Sequence, residues 1–305
     1  MDTIKQNVWI EISKNAITNN LQNLRVQKPI VNVQSNALGF GINVFTRGLL
    51  AANVYGFAVG NLQEALELRK WGTNKLIIIL NYFEQNEEKL IQDNFIIAPI
   101  NSFYDLEKIT TSKPRSPLAV ALISNLFTEW KDDNIEKAIQ FCQKNSDKVD
   151  LWGTVTTSRN SKIGGSYHEI KGDHHGLIIG RDIYGFDQSS DTKPVFTLKT
   201  RIIAFDQDQM LAVVPIGYGL GFSSNFSGFS VIVNGKRNAK VQKVSIDTTF
   251  ILLHELVPVG TIVTIIGNSQ NESITLSEAA SYINLTPLEL STQLSPLIKR
   301  ILVDN

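Results

Sequence analysis

Two groups of residues in this sequence have types and spacing that could support chemistry. The first is Val33–Gly41, which reads Val-Gln-Ser-Asn-Ala-Leu-Gly-Phe-Gly and follows the apolar run that begins at Ile30. Gly39 and Gly41 do not make a dinucleotide fingerprint, because the third glycine and its acidic partner are missing. We expect these glycines to let the backbone turn away from the end of a strand.

The second group is a histidine-rich segment, in which His168 is followed by Asp173, His174 and His175. A metal site would need ligands that converge on one point. Adjacent histidines point in different directions, and no carboxylate or cysteine recurs at ligand spacing. A solvated loop is the favoured interpretation, and no metal site is predicted.

The composition is that of an ordinary globular protein. The chain has 305 residues, 43% hydrophobic and 19% charged, with 29 basic and 29 acidic residues. Such a balance does not predict binding to nucleic acid or to an anionic membrane. A single cysteine, Cys142, excludes an intrachain disulfide framework, and no apolar run reaches the roughly 18 residues of a spanning helix. We expect a cytoplasmic protein.

Short apolar strands alternate with helices over the first two thirds of the chain. Strands are predicted near residues 8–12, 30–33, 56–59, 76–80, 95–98, 118–123, 151–156 and 177–179, and helices near 13–24, 47–52, 62–71, 84–92, 104–109 and 134–142. Wholly apolar strands joined by helices are typical of a parallel sheet covered on both faces. This many repeats favours an α/β fold closed into a (β/α)8 TIM barrel.

The pattern changes after Pro194, where antiparallel strands are predicted. They lie near residues 197–205, 210–214, 229–233 and 262–266, and a short helix is predicted over 276–283. Asn234-Gly235 predicts a type I′ hairpin turn, because both residues tolerate positive φ. We therefore expect a barrel over residues 8–190, with residues 1–7 leading into its first strand, and a C-terminal all-β domain over 191–305. The boundary is expected near Asp187 to Pro194.

Several segments, taken together, resemble segments of the alanine racemase family. The members of this family are pyridoxal-phosphate enzymes of fold type III. Val214-Pro-Ile-Gly-Tyr218 matches the family's V-P-I-G-Y residue for residue, and further similar segments are Trp9–Ser13, Tyr55–Val59 with Glu64-Ala65, Tyr184-Gly185, Asn234–Asp247 and Glu289–Arg300. The similarity extends over nearly the whole chain and is loose between about Ser124 and Gly176. It implies a barrel followed by a β-domain, pyridoxal phosphate as cofactor, and a head-to-tail homodimer.

The sequence departs from the family pattern at the positions that would carry the chemistry. By the resemblance, Gln34 occupies the position of the lysine that holds the cofactor, and Leu38 that of a phosphate-binding tyrosine. Ile178 falls where an arginine would address the pyridine nitrogen, with Arg181 nearby. The segment Phe205–Met210 is too short for the one that carries the second catalytic base, a tyrosine. A carboxamide nitrogen is not basic and cannot form an imine.

Neither of two other lysines is a strong substitute for the one missing at Gln34. Lys28 precedes its strand, whereas barrel chemistry lies at the carboxyl ends of the strands. Lys162 follows a predicted strand, but the polar segment Ser158–Lys162 is most simply interpreted as a solvated loop. The strand Ala121–Phe127 also lacks the arginine that would bind the substrate carboxylate.

Two retained positions, Tyr218 and Asp247, are candidate ligand-binding residues by the resemblance, and Gly180 and Arg181 are further candidates, although Arg181 does not stand at the family's arginine position. Tyr218 would contact the cofactor phosphate, Gly180 and Arg181 would lie beside the cofactor, and Asp247 would lie at the mouth of a partner subunit's site. Tyr218 could equally be a packed turn residue, and Asp247 could cap a turn.

Two hypotheses about function follow. The first is a family member without racemase activity, which binds a small molecule or a protein; no intact catalytic residue is then expected. The alternative is alanine racemase or a related amino-acid isomerase that holds pyridoxal phosphate non-covalently.

Overall fold

The computed structural model describes residues 7–50, 52–84, 86–111, 116–124, 130, 132–160, 165–171, 176–186 and 192–305. For residues 132–133, 157–160 and 165–171 only the backbone is described. Predictions about Lys162, Asp173, His174, His175, Phe127 and the boundary segment 187–191 lie outside the described residues.

The elements follow one another in this order. The strands are β1 (Val8–Ser13), β2 (Pro29–Asn32), β3 (Gly56–Val59), β4 (Leu76–Ile79), β5 (Ala98–Ile100), β6 (Leu118–Ser124), β7 (Val149–Asn160), β8 (Gly165–Lys171), β9 (Gly176–Ile179), β10 (Phe196–Arg201), β11 (Ala204–Asp206), β12 (Leu211–Val214), β13 (Ser230–Val233), β14 (Lys236–Val244), β15 (Thr249–Leu252), β16 (Ile262–Ser269), β17 (Glu272–Ile274) and β18 (Lys299–Val303). The α-helices are α1 (Lys14–Leu24), α2 (Ile42–Leu50), α3 (Leu62–Lys70), α4 (Glu88–Asp93), α5 (Phe103–Thr111), α6 (Asp132–Lys144), α7 (Leu276–Tyr282) and α8 (Pro287–Gln293). Short 3-10 helices span Arg181–Tyr184, Tyr218–Leu220 and Ser224–Phe226.

The chain forms two compact units, which we call the barrel unit and the β unit. The barrel unit comprises residues 24–37 and 50–183, and the β unit comprises residues 1–23, 38–49 and 184–305. This division differs from the predicted boundaries at residues 8–190 and 191–305. Strand β1 was expected to open the barrel, but it pairs antiparallel with β10 and parallel with β18 in the β unit. The alternating pattern of β1 predicts a strand without specifying its partner.

The barrel unit contains eight strands in the order β4-β3-β2-β9-β8-β7-β6-β5. A parallel bridge between Ile78 and Ile97 joins β4 to β5 and closes the ring. The predicted barrel is therefore present. Strand β8, which was not predicted, runs antiparallel to β7 and β9, while the other neighbours pair in parallel.

Aliphatic side chains fill the barrel interior, as the apolar strands predict. They are Ile30, Ala58, Ile78, Leu80, Ile97, Ala121, Ile123, Val155 and Ile178. Burial of such side chains contributes about 25 cal/mol for each Å² removed from water.

The β unit is built on a sheet with strand order β11-β12-β15-β14-β13-β16-β10-β1-β18, and β17 pairs with β16. The predicted hairpin is present between β13 and β14, where Asn234 and Gly235 have φ of 49° and 73°. Both values are positive, as a type I′ turn requires. Among the described residues, no helix is long and apolar enough to cross a membrane.

Candidate functional site

The carboxyl ends of the parallel barrel strands place several polar residues at one end of the barrel unit. Gln34 lies just past β2, Gly60 past β3, Asn81 past β4 and Asn101 past β5. Hydrogen bonds extend beyond the strand ends: the Asn101 side-chain amide donates to the Asn81 carbonyl at 2.6 Å. We call this end of the barrel unit the mouth. Its described side chains are mainly neutral amides and hydroxyls.

Gln34 begins a left-handed turn of the backbone. Ser35, Asn36, Ala37 and Leu38 all have φ between 53° and 57°. Non-glycine residues in this region each cost about 1–2 kcal/mol, and four in succession are rare. The surrounding structure must therefore hold this turn in place.

In the barrel unit, Glu64 fixes the first part of the turn. Its carboxylate accepts the Asn36 amide at 3.0 Å through Oε1 and the Gly60 amide at 2.8 Å through Oε2. Glu64 lies in the first turn of α3, whose N-cap Asn61 accepts the Glu64 amide at 3.0 Å. The Asn-x-x-Glu spacing is a helix-start signal, but the sequence did not reveal that the glutamate reaches the turn after β2.

Gly60 separates the side chains of Gln34 and Asn81. A Cβ atom added at Gly60 would lie 3.2 Å from Asn81 Nδ2 and 3.6 Å from Gln34 Cβ. Gln34 is half-buried and Asn81 is exposed, and no described residue hydrogen-bonds with either side-chain amide. These two amides are therefore available to a ligand at the mouth.

No lysine of the described chain replaces the one that the resemblance leads us to expect at Gln34. Lys28, Lys75 and Lys148 directly precede β2, β4 and β7, and so lie at the opposite end of the barrel. The described residues between each strand's carboxyl end and the following helix include no lysine. The mouth, as described, does not fit covalent attachment of pyridoxal phosphate.

Gly180 and Arg181 also lie at the mouth. Strand β9 pairs in parallel with β2, with Ile179 opposite Val31, so Gly180 follows at the end where Gln34 lies. A Cβ at Gly180 would meet no atom within 4 Å, and Arg181 is exposed. Ile178, at the predicted arginine position, is buried in the barrel interior.

The end of the left-handed turn belongs to the β unit and is held there by two residues near the C-terminus. The Ser291 hydroxyl donates to the Leu38 carbonyl at 2.8 Å, and the Arg300 guanidinium donates to the Gly39 carbonyl at 2.9 and 3.2 Å. Leu38 is buried in this unit. Phe40 is fully buried and packs in the same unit against the rings of Phe45, Tyr184, Phe186 and Phe196.

Tyr218 and Asp247 lie beside each other on the β unit. The amide of Tyr218 donates to the Ser245 carbonyl at 3.0 Å, and the next amide donates to the Ile246 carbonyl at 2.9 Å. A Cβ at Gly219 would lie 3.5 Å from Asp247 Oδ1. Tyr218 is 52% exposed and Asp247 is exposed, so Tyr218 is not a packed turn residue.

No group of three or more potential metal ligands occurs among the described residues. Of the histidine-rich segment, only the backbone of His168 is described, within β8.

Comparison with known proteins identifies relatives of both parts of the chain. Residues 12–125 match the family model "Alanine racemase, N-terminal domain", and residues 200–302 match "Alanine racemase, C-terminal domain". The chain is 22% identical over 371 aligned positions to a lysine racemase of Oenococcus oeni, with 100% of both chains covered. It is 28% identical to an alanine racemase of Streptococcus pyogenes, with 88% of this chain and 89% of the relative covered.

Solved structures show the same fold. An alanine racemase from Oenococcus oeni superimposes with a TM-score of 0.86 at 20% identity, covering 99% of this chain and 100% of that one. A histidine racemase from Leuconostoc mesenteroides gives 0.82 at 19% identity, with 99% of each chain covered.

A closed barrel with a polar mouth, together with a β unit, defines an alanine-racemase-like protein. The chain belongs to the alanine racemase family. Members of this family depend on pyridoxal phosphate.

Proposed function

We propose that this protein has the alanine racemase fold without racemase activity, and that it acts by binding a small molecule or a protein. The observation that carries the proposal is Gln34, which stands at the position where the family resemblance places the cofactor lysine. A carboxamide cannot form an imine with the cofactor or accept a proton from the substrate near neutral pH.

The connection between β11 and β12, where the family resemblance places the second catalytic base, also supports the proposal. Strand β11 ends at Asp206 and β12 begins at Leu211, and these two residues pair directly across the hairpin. The connecting turn is short, and Asp206 Oδ1 accepts the amides of Asp208 and Gln209 at 3.0 and 3.1 Å. A stretch missing from the sequence between β11 and β12 would account for the short turn. It would not account for Gln34, where one residue type replaces another and no residues are missing.

The mouth nevertheless has features that are typical of ligand-binding sites. The left-handed turn is strained. Glu64 stabilises it, because one carboxylate oxygen accepts the Asn36 amide in the turn and the other accepts the Gly60 amide at the end of β3. Strained backbone persists where the surroundings over-determine it, most often at ligand sites. The free amides of Gln34 and Asn81 each offer a donor and an acceptor, which suits an uncharged polar ligand.

The alternative is an isomerase that holds pyridoxal phosphate non-covalently. Its first support is that Tyr218 and Asp247 are both exposed; the family resemblance assigns Tyr218 to the cofactor phosphate and Asp247 to the mouth of a partner subunit's site. Its second support is the open space at Gly180. Under either proposal we place the protein in the cytoplasm as a homodimer, since the family resemblance implies one.

A cofactor titration distinguishes the two functions. Wild-type protein is titrated with pyridoxal phosphate and followed by visible absorbance and by thermal shift, and the interconversion of L- and D-alanine is assayed. We expect no Schiff-base absorbance band and no racemisation. A thermal shift without the band would favour non-covalent binding, and racemisation by the wild type would refute the loss of activity.

The variant Gln34→Lys tests whether position 34 is the cofactor position. We expect this variant to gain the Schiff-base band, because the new amine would lie at the mouth. Gln92→Lys, on α4, is the matched control and should not gain the band. An equal response of the two variants would contradict the assignment of Gln34.

A further inference from the structure

The sheet of the β unit presents one buried face and one open face where β11, β12, β15 and β14 lie side by side. Along β12 and β15, buried side chains alternate with half-buried ones. Because successive side chains of a strand point to opposite faces, the half-buried set lies on the open face. This set is Leu211, Val213, Phe250 and Leu252. Apolar side chains therefore form the centre of the open face.

The strand register arranges the open face in two rows of side chains across four strands. The first row, in order across β11, β12, β15 and β14, is Asp206, Leu211, Leu252 and Lys240. The second row, in the same order, is Ala204, Val213, Phe250 and Lys243. Paired residues point to the same face, and neighbouring strands lie about 4.8 Å apart, so each row is about 14 Å long.

Charges of opposite sign stand at the two ends of the first row. Asp206 is exposed, and its Oδ1 accepts the amides of Asp208 and Gln209, which holds the carboxylate at the turn. Lys240 and Lys243 are exposed, and neither forms an ion pair with a described residue. The open face is therefore acidic at its β11 edge, apolar in the centre and basic along β14.

This order of charges is complementary to itself under one twofold axis. An axis that lies between two open faces and runs parallel to the strands brings the β11 edge of each copy against β14 of the other. Asp206 then faces Lys240 of the second copy, and Leu211 faces Leu252 of the second copy. An axis perpendicular to the strands would instead bring Lys240 against Lys243 of the second copy, and the two ammonium groups would repel each other.

The spacing of packed sheets allows these ion pairs. Two sheets that pack face to face lie about 10 Å apart, a distance that a lysine and an aspartate side chain can span together.

We propose that two copies of this chain associate through their open faces, with Asp206 of each copy paired with Lys240 of the other. The contact joins two β units and is separate from the head-to-tail contact that the family resemblance implies. It does not depend on the proposed loss of racemase activity.

The size of the open face indicates a weak contact. Four strands with about four residues each cover on the order of 300 Å², less than the roughly 800 Å² per partner of a stable interface. We therefore expect a Kd of roughly 0.1–1 mM.

Sedimentation velocity of the full-length protein measures the association. We expect the assembled mass to double between about 10 µM and about 1 mM protein. A mass that stays constant over this range would overturn the proposal.

Zero-length carbodiimide cross-linking tests the residue pair directly, because the reagent joins a carboxylate and an amine that are in contact. An equal mixture of isotope-labelled and unlabelled chains should give mixed peptide pairs in which Asp206 is linked to Lys240. Links from Asp206 to other lysines only, or within one chain only, would contradict the proposed arrangement.

Variants test whether the two charges act together. Asp206→Asn keeps an oxygen that can accept the turn amides, and Lys240→Gln changes an exposed side chain, so both variants should fold. Each should weaken association about three- to ten-fold, because the ion pair occurs twice in a twofold contact. The double variant should lie within about two-fold of the weaker single variant, whereas effects that multiply would show that the two charges do not face each other.

A variant at the centre and a control on β14 complete the test. Leu252→Lys places a charge opposite Leu211 of the second copy and should abolish association. Lys236→Gln is the matched control, since Lys236 is exposed on the same strand, pairs with Glu255 and lies outside both rows. It should change the Kd less than about two-fold. Equal effects of Lys236→Gln and Lys240→Gln would mean that association depends on net charge only, and the proposed contact would be wrong.

Discussion

Replacement of Arg300 by methionine should destabilise the β unit strongly, because one buried guanidinium satisfies several carbonyl groups. Arg300 is 8% exposed and donates to the Gly39 carbonyl at 2.9 and 3.2 Å. It also donates to the carbonyls of Ser295 and Ile298, each at 2.6 Å, and of Leu294 at 3.2 Å. Burial lowers the pKa of Arg300 to about 10, so the side chain stays charged at neutral pH.

The expected magnitude follows from these contacts. A hydrogen bond to a charged group contributes about 1.5–3 kcal/mol, and loss of the donor leaves its carbonyl partners unsatisfied. The contributions are not additive, and carbonyls near the surface regain water. We therefore expect Arg300→Met to lower the free energy of unfolding by about 3–5 kcal/mol. Arg300→Lys keeps the charge but not the planar fork of donors, so its free energy of unfolding should lie between those of the wild type and of Arg300→Met.

Urea denaturation measures the free energy, and hydrogen exchange over residues 38–45 reports the local effect. Arg237→Met is the matched control, since Arg237 pairs with Glu278 in the same unit but remains partly exposed. Its loss should be about 1 kcal/mol. If Arg300→Met costs no more than Arg237→Met, the inference that Arg300 holds the Gly39 segment is wrong.

Three further predictions concern glycine, carboxylate and thiol positions. Gly39→Ala should lower the free energy of unfolding in denaturant titration by more than about 3 kcal/mol, because the added Cβ would overlap the Ser291 carbonyl. Gly72→Ala is the control, since Gly72 has a similar positive φ and open space around it, and it should lose about 1–2 kcal/mol. Similar losses for the two variants would contradict the overlap. Glu64→Ala should cost about 2–3 kcal/mol and speed hydrogen exchange at its two backbone partners, and unchanged exchange would refute their tethering. Burial raises the pKa of the Cys142 thiol from its ordinary value of 9.0 to about 11, so the folded state binds the thiol proton more tightly than the unfolded chain does. The stability that results is present below pH 9 and is lost between pH 9 and about 11. Cys142→Ala should remove this component from pH-dependent unfolding curves, and identical curves for the variant and the wild type would count against it.

The sequence by itself determined the elements and their class. Apolar runs alternating with helical spacing predicted the barrel, and Asn234-Gly235 predicted a hairpin whose positive φ values the structure contains. These features are local, since side-chain period and turn preference depend on a few neighbouring residues. The family resemblance likewise predicted both domains and directed attention to Gln34.

The tertiary structure alone decided which elements pair and which side chains meet. The pattern of Val8–Ser13 specifies a strand but not a sheet, and its partners are β10 and β18. The antiparallel pairing of β8 and the link from Glu64 to the left-handed turn are both contacts between separate elements of the fold. Such contacts depend on long-range packing and hydrogen bonding, which no local pattern encodes. Gln34 was read from the sequence, but only the fold placed it beside Gly60 and Asn81 at the mouth of the barrel.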